Sequence, residues 1–561
     1  MAIFRNFYAR QSVFALLHAA CVLLGLAPFD IWPCAFLGTF FVFFAAHEQA
    51  DVSLRKMIFS GLVFALALTA IPFVWIIATI HRYTGESVAL TFMLTLFYAV
   101  LFQSKPFFFF LLRRLLLKPA ESSLTSAFAF AALLALVDAV SPELFVWSWG
   151  NTLAGEPHLR QWAAVASVYG VSFIACFGGW YLFRLLVLSR SEKFSRRMRL
   201  ALPEFVIILC FLTAGVALRY FPSADSARKL HALVIQTNIG AAPEAKRSDA
   251  AFATDAINRL FNQSLEGLIV RPETQLVVWP EAAMPFHAAQ KSPENAAIYS
   301  PSLDGVLEFF ARAAGTAVLY QHMTYSGENL FSEMTARPRG GASYYKRRLV
   351  PWGEYLPLES AWPGLRKIFR DAGRFSTGHN GDEFGIFLRE GRAALPGREA
   401  LSADLAILDK PAEIARRYAG VARPVPLMVK PLLCYEALFP SDARTQSADI
   451  IVNLASDAWF GDGIEGWQHA GAASLRAVEN GIPMLRAAMS GVSYAVDYRG
   501  DFTGSPTGQA RPETLAVEIP LAKRRTVFAR FGITAFYLLM FAALWPYAVQ
   551  QFRSFRIREN K

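Results

Sequence analysis

The sequence predicts a two-part fold, a helical membrane bundle joined to a polar α/β domain, and three patterns in its 561 residues carry that prediction. Apolar residues make up 54% of the chain, and they are crowded into 12–220 and again into 527–550. Between 231 and 488, short β-rich runs alternate with amphipathic stretches, the pattern of an α/β domain with a largely buried sheet. The net charge of +11 comes from Lys and Arg gathered beside the apolar runs, not spread over a polar face. That placement argues against nucleic acid as a partner.

A spanning helix needs about 20 mostly apolar residues. The segments that approach this are 11–28, 34–48, 57–80, 89–112, 124–147, 162–188, 201–220 and 527–549, about eight spans in all. No small-residue cleavage site follows the first, so it reads as a span and not as a removed leader. Short loops set the orientation. Arg5, Arg10, Arg55, Lys56, Arg113, Arg114, Lys118, Arg190, Lys193, Arg196, Arg197, Arg199, Arg553, Arg556, Arg558 and Lys561 fall on one side, against Arg82 and Arg160 on the other. The positive side faces the cytoplasm. Both termini then lie inside, and the sequence divides into a seven-span bundle over 1–220, an outer domain over 221–526, and a last span with its tail over 527–561.

Within the outer domain, strands are expected at His231–Thr237, Gln275–Trp279, Thr316–Gln321, Pro431–Tyr435, Asp449–Leu454 and Met484–Ala488, with helices over 246–267, 303–314 and 466–480. Residues 335–341 read as a hairpin or loop. The long segment 381–427 reads as a lid, a binding loop or an insertion.

Cys434 is the one cysteine of this domain; Cys21, Cys34, Cys176 and Cys210 all fall in apolar runs. A lone thiol outside the cytoplasm has no disulfide partner, so it is either buried and inert or kept as a nucleophile. Two other runs carry reactive groups at expected strand ends. Glu281 follows Trp279-Pro280, and Lys346 and Glu354 lie in Tyr344-Tyr345-Lys346 and Gly353-Glu354-Tyr355. A carboxylate, an ammonium and a thiol suffice for acyl transfer through cysteine. The carboxylate takes the thiol proton, the ammonium stabilises the oxyanion and lowers the thiol pKa, and the thiolate carries the acyl group. Taken singly, each has a plain alternative: Glu281 as a helix cap, Lys346 as a surface lysine, Cys434 as a buried small hydrophobe. The five histidines of the domain (His231, His287, His322, His379, His469) show no metal-ligand spacing, and no metal or other cofactor is expected.

Together, several motifs resemble the apolipoprotein N-acyltransferase family, the membrane-embedded branch of the nitrilase (carbon–nitrogen hydrolase) superfamily. They are Trp279-Pro280-Glu281, Tyr345-Lys346 with Leu349-Val350-Pro351-Trp352-Gly353-Glu354-Tyr355, Cys434-Tyr435-Glu436, the run Asn453 to Asp462, and Gln468-His469. In the apolar part, Leu26 to Pro33, Trp147-Ser148-Trp149-Gly150 and Val168-Tyr169-Gly170 add to it. The resemblance implies a nitrilase-like αββα sandwich in which Glu281 is the general base, Lys346 the oxyanion stabiliser and Cys434 the nucleophile. It further implies that Glu354 supports the lysine, that Tyr435 and Glu436 shape the site, and that Asn329 is an active-site asparagine. The implied reaction is ping-pong, from a phospholipid acyl donor to the amine of a diacylated lipoprotein acceptor. The implied setting is the bacterial inner membrane, with the catalytic domain on the periplasmic face and the protein a monomer. A membrane-bound amidase or nitrilase-type hydrolase, and a conjugal-transfer paralogue with a different acceptor, stand as alternatives.

Overall fold

The protein is described by a computed structural model over residues 6–49, 52–83, 87–117, 123–188, 192–221, 228–239, 250–284, 300–327, 329–338, 343–369, 372–379, 382–388 and 425–559. Most of the 381–427 segment therefore lies outside the described residues. The chain forms two compact units. One holds 1–222, 471–480 and 525–561, and the other holds 223–470 and 481–524.

The first unit is helical: α1 (Phe7–Gly25), α2 (Pro33–His47), α3 (Leu54–Ala70), α4 (Val74–Tyr83), α5 (Val88–Phe102), α6 (Lys105–Leu116), α7 (Leu124–Val140), α8 (Ala163–Phe183) and α9 (Phe194–Tyr220). Among the described residues, four stretches are long and apolar enough to cross a membrane: Phe7–Gly25, Val88–Leu116, Leu159–Val187 and Ser195–Tyr220. A fifth arises if α3 and α4, bent by 74°, count as one span. Pro72 sits in that break, where a helix loses a donor and meets a steric clash. Helix length and composition by themselves thus identify four or five of the eight expected spans among the described residues. α2 and α7 are apolar but only 15 and 17 residues long, and at 1.5 Å per residue they fall short of a hydrocarbon core of about 30 Å. The C-terminal helix Thr534–Glu559 carries Pro546 and charges at its end.

A cluster of buried charges inside this apolar unit is paired, as burial demands. Lys105 Nζ lies 2.6 Å from Asp138 and 2.7 Å from Glu143. Asp138 also accepts from Ser172 Oγ at 2.6 Å and from the Trp149 amide at 3.2 Å. α8 breaks its helical path at Ala166 and Ser167. The donors released there are taken up by Glu479, which accepts from Ser167 Oγ at 2.8 Å and from the Val168 amide at 2.9 Å.

The second unit is built on two sheets. The first contains β1 (Lys229–Gln236), β2 (Leu276–Val278), β3 (Ala317–Ser326), β4 (Asn329–Arg337), β5 (Tyr344–Tyr345) and β11 (Glu513–Pro520), in the order β11-β1-β2-β3-β4-β5. The second contains β6 (Phe384–Leu388), β7 (Val425–Leu433), β8 (Ile450–Ala455), β9 (Met484–Ala488) and β10 (Tyr494–Val496), in the order β10-β9-β8-β7-β6. β1, β2 and β3 run parallel, as do β7, β8 and β9, with antiparallel strands at both edges of each set. Leu230, Val234, Leu276 and Val278 of one sheet and Leu427, Val429, Val452 and Leu485 of the other share a single buried cluster, so the sheets pack face to face. The other face of the first sheet is covered by α10 (Ala250–Val270) and α11 (Ser300–Ala314), through Leu260, Leu307 and Ala311. A third helix, α12 (Glu465–Asn480), begins in this unit.

The expected strands all exist, with shifted ends, and the Met484–Ala488 strand keeps its bounds. Two differences matter. Residues 335–337 are the end of a nine-residue strand paired antiparallel to β3, not a hairpin loop. The cysteine strand stops at Leu433, and Cys434 opens a tight turn over Cys434–Leu438.

Candidate active site

Parallel sheets present functional groups beyond the carboxyl ends of their strands, and this is where the reactive residues of the second unit gather. Glu281 stands three residues past the end of β2, Cys434 directly past β7 and Asp457 two past β8. Lys346 follows β5, with its amide bonded to the Ser332 carbonyl of β4 at 2.9 Å and its own carbonyl accepting from the Gly378 amide at 2.8 Å.

Glu281, Lys346, Glu354 and Cys434 meet in one buried place. Lys346 Nζ, fully shielded from solvent, donates to Glu281 Oε1 at 3.0 Å and to Glu354 Oε1 at 2.5 Å. The Cys434 thiol donates to the Glu281 carboxylate, and the Ser456 amide donates to the sulfur. Glu354 is itself fixed, because its other oxygen accepts from the Val350 amide at 2.8 Å. The backbone is strained at each of these places. Ala282 (φ 58), Trp352 (φ 61) and Cys434 (φ 47) all adopt the left-handed region. For a residue with a β-carbon that conformation costs roughly 1–3 kcal/mol, and such strain concentrates at functional sites. At Ala282 the hold is visible: its amide donates to Gln321 Oε1 at 2.8 Å, and Gln321 Nε2 donates to Ser332 Oγ at 3.0 Å.

Charge and burial set the protonation states. Burial lifts Glu281 above the usual carboxylate range, and Lys346 offsets this only in part. Burial would pull Lys346 down, but Glu281 and Glu354 outweigh it and hold the ammonium well above its ordinary value. Burial pushes the Cys434 thiol up and the charge of Glu281 adds to this; Lys346 acts in the lowering direction but is outweighed. The sequence-based expectation of a thiol held low by its lysine is therefore corrected: the resting side chain is a thiol hydrogen-bonded to a carboxylate. A pH profile follows. A base must be ionised to accept a proton, so kcat/KM falls as pH drops through the Glu281 pKa, and that limb lies above the 4.5 of an ordinary glutamate. The ammonium persists, so Lys346 adds no alkaline limb below about pH 10. Glu281→Gln should erase the acidic limb in a pH–rate profile; an unmoved limb in that variant would assign it to another group.

The remaining sequence-predicted residues fall differently. Glu436 is fully buried and bonded on both oxygens: Oε1 accepts from Tyr344 OH at 2.8 Å, from the Arg347 amide at 2.7 Å and from the Arg348 amide at 3.2 Å, while Oε2 accepts from the Leu433 amide at 2.7 Å. It thereby ties the chain after Lys346 to the chain before Cys434. Tyr435 is buried edge-on against Phe439, with ring centroids 4.9 Å apart. Asn329 is exposed at the start of β4, and its Oδ1 accepts from Ser376 Oγ at 3.1 Å.

Sequence reasoning read His469 only as structural or substrate-facing and gave no role to the polar group it forms beside the cysteine. His469 Nδ1 lies 2.8 Å from Asp457 Oδ1, and His469 Nε2 lies 3.2 Å from the Cys434 carbonyl. Arg486, fully buried on β9, is 2.8 Å from Asp457 Oδ2 and also reaches Asn453 Oδ1. Burial alone would raise Asp457, yet Arg486 and His469 outweigh it and hold its carboxyl at about 2. A Cβ at Gly491 would clash with that carboxylate, so the approach requires glycine. Ligand atoms of Cys434, Asp457 and His469 lie within 4.8 Å of one another, the spacing of a metal site. Asp457 and His469 already spend these atoms on the hydrogen bonds above, however, and the Arg486 guanidinium already supplies the positive charge. One signal in the sequence pointed here: an arginine inside the apolar run Met484–Ala488 must be paired if that run is a buried strand.

Comparison with known proteins gives these geometries a setting. The carbon–nitrogen hydrolase family model matches residues 234–527, and the model of the apolipoprotein N-acyltransferase N-terminal domain matches residues 18–181. The chain belongs to the carbon–nitrogen hydrolase family, in the branch of the apolipoprotein N-acyltransferases. Full-length likenesses lie in that branch. Apolipoprotein N-acyltransferase 1 of Leptospira interrogans (strain Fiocruz L1-130) is 28% identical over 94% of this chain and 95% of its own length. The apolipoprotein N-acyltransferase of Haemophilus influenzae is 25% identical over 98% and 96%, and that of Azotobacter vinelandii is 27% identical over 88% and 86%.

Proposed function

We propose that the protein transfers an acyl chain from a phospholipid, through a thioester on Cys434, to the N-terminal amine of a diacylglyceryl-cysteine in lipoproteins. The observation that carries this reading is the buried Lys346 ammonium held between two carboxylates, with the Cys434 thiol donating to one of them.

Glu281 accepts the thiol proton as Sγ attacks the ester carbonyl of the donor. The carbonyl oxygen becomes an oxyanion, and Lys346 stabilises it in a site closed to water. Collapse of the adduct breaks the ester bond, and the departing lysophospholipid oxygen takes the proton from Glu281. The amine of the acceptor then attacks the thioester and gives its proton to Glu281. Breaking the C–S bond returns that proton to the sulfur. No atom beyond those of the two substrates enters or leaves, and Glu281 ends ionised, as it began. Glu354 keeps the ammonium in register through the cycle. Tyr435 and Glu436 hold the cysteine turn, and Asn329 acts at the substrate-facing edge.

Both substrates are anchored by lipid, which is why a hydrolase-type site is joined to apolar helices. In this reading the chain crosses the bacterial inner membrane eight times, keeps both termini in the cytoplasm and works as a monomer with its catalytic unit on the periplasmic face. The distribution of Lys and Arg supports the orientation. The test is product analysis with labelled phospholipid and a diacylated lipopeptide. We expect a mass increase of one acyl chain on the Cys434 peptide before acceptor is added, and a triacylated lipopeptide after. Free fatty acid as the sole product would overturn transfer in favour of hydrolysis.

A further inference from the structure

The Cys434 backbone is held by something, because a left-handed φ of 47 in a residue with a β-carbon does not persist unaided. The carbonyl of that same residue lies 3.2 Å from His469 Nε2. His469 is buried, and its other nitrogen is 2.8 Å from Asp457 Oδ1 and 3.2 Å from Arg486 Nη2. Arg486 is braced in turn by Asn453, its register partner on β8, and by the Val492 carbonyl at 3.3 Å.

Three proton placements are open to the ring. With a proton on Nδ1 alone, the Nε2 lone pair would face the carbonyl oxygen, two acceptors in contact. A neutral ring protonated at Nε2 gives that proton to the carbonyl and accepts from Arg486 at Nδ1, but Nδ1 then faces Asp457 Oδ1 at 2.8 Å, again two acceptors in contact. An imidazolium gives one proton to the carbonyl and the other to Asp457 and alone satisfies both contacts, with Asp457 opposing the burial and the Arg486 charge that hold the ring below its ordinary value. A hydrogen bond on the Cys434 carbonyl requires the Nε2 proton.

We infer that His469 is a positioning residue for the nucleophile: its Nε2–H holds the Cys434 carbonyl and so fixes the turn that aims the thiol at Glu281 and Lys346, while Asp457 and Arg486 keep the ring in place. The inference rests on Cys434 being the attacking group. It separates His469 from the proton-transfer chemistry, which Glu281 performs, and assigns it to aim.

The test uses the full chain in detergent micelles and two near-isosteric replacements. A glutamine amide nitrogen reaches the position of Nε2, and an asparagine amide nitrogen reaches that of Nδ1. His469→Gln therefore keeps the donor to Cys434, and His469→Asn keeps only the side facing Asp457. Misplacing a reacting group by an ångström costs about 100-fold. We expect His469→Asn and His469→Ala to form the Cys434 thioester about 100-fold more slowly, with KM for phospholipid within about twofold. We expect His469→Gln to stay within about tenfold of the parent. Iodoacetamide alkylation of Cys434, followed on its peptide by mass spectrometry, should rank the variants in the same order. Equal rates for the glutamine and asparagine variants, or an unaffected alanine variant, would overturn the inference. If the His469 variants do not purify as folded protein, Asp457→Asn keeps the ring and loosens its support. Its kcat should then fall about three- to tenfold at unchanged KM, and an unchanged kcat would overturn the inference equally. Acyl transfer surviving in Cys434→Ala would remove the nucleophile assignment itself. The alkylation ranking does not depend on transfer and still judges the role of His469.

Discussion

Cys434→Ala should lower acyl transfer by about 10⁵- to 10⁶-fold, the scale on which losing a covalent nucleophile acts when no neighbouring group substitutes for it. Every other polar group at the site is built around the sulfur. Glu281 accepts its proton, the Ser456 amide donates to it, and the small side chains Ala455 and Ala488 pack against the cysteine. None of these can attack a carbonyl in its place. The substitution removes one heavy atom from a site walled by alanines, so stability should change by no more than about 1.5 kcal/mol. The prediction is checked by counting triacylated lipopeptide against time, with thermal unfolding measured on the same preparation. Residual turnover above about one per cent of the parent in a folded variant would remove the thioester from the mechanism.

Lys346→Met should reduce turnover by at least about 10³-fold and should destabilise the protein in a way that depends on pH. Losing one oxyanion donor accounts for about 10²–10³ of the rate. The remainder comes from the base. Without the ammonium, Glu281 keeps its burial and the repulsion of Glu354 and loses its main countercharge, so its pKa rises further and less of it is ionised at neutral pH. Removing one partner of a buried ion pair typically costs about 3–5 kcal/mol. Here the stranded Glu281 carboxyl recovers part of that by taking up a proton. A carboxyl whose folded pKa exceeds its unfolded value stabilises at low pH and loses that contribution as pH rises through the folded value. The stability deficit of Lys346→Met should therefore be smaller near pH 5 than near pH 8. Unfolding scans at the two values decide it, and a deficit independent of pH would mean that Glu281 is not stranded in the variant.

How far the sequence revealed this molecule depended on the range of the interactions involved. Strands such as Met484–Ala488 were legible because a short apolar run between turn residues carries its own signal. The strand Asn329–Arg337 was not, since its Glu333 and Arg337 interrupt the apolar pattern and its pairing with β3 supplies what the pattern lacks. The membrane spans were legible as apolar segments but not in their ends, because hydropathy finds apolar residues and not helix ends. It read 57–80 straight through Pro72 and ran 124–147 past the end of α7 at Val140. At the site, Glu281, Lys346 and Cys434 stood out by resemblance of their surrounding runs, since glutamate and lysine occur throughout the chain. Their meeting spans 65 residues from Glu281 to Lys346 and joins two sheets, and no local pattern encodes that. The direction of the Cys434 pKa could not be read at all, because it is decided by burial and by the nearer charge of Glu281.

Two carboxylates around one ammonium give this cavity an excess of one negative charge before any substrate arrives. When the thiol proton moves to Glu281, that excess passes from oxygen to sulfur within reach of the same ammonium, so activation redistributes charge without creating any. In a dry interior, where a fresh ion would cost several kcal/mol, this keeps the step shallow. Once the thioester has formed, the sulfur is neutral and the excess returns to the carboxylates. In the proposed cycle the loaded site attracts an alkylammonium end group, which gives one proton to solvent to become the attacking amine and passes its second to Glu281. Water and alcohols feel no such pull, so the site favours amines by electrostatics before their shape is tested.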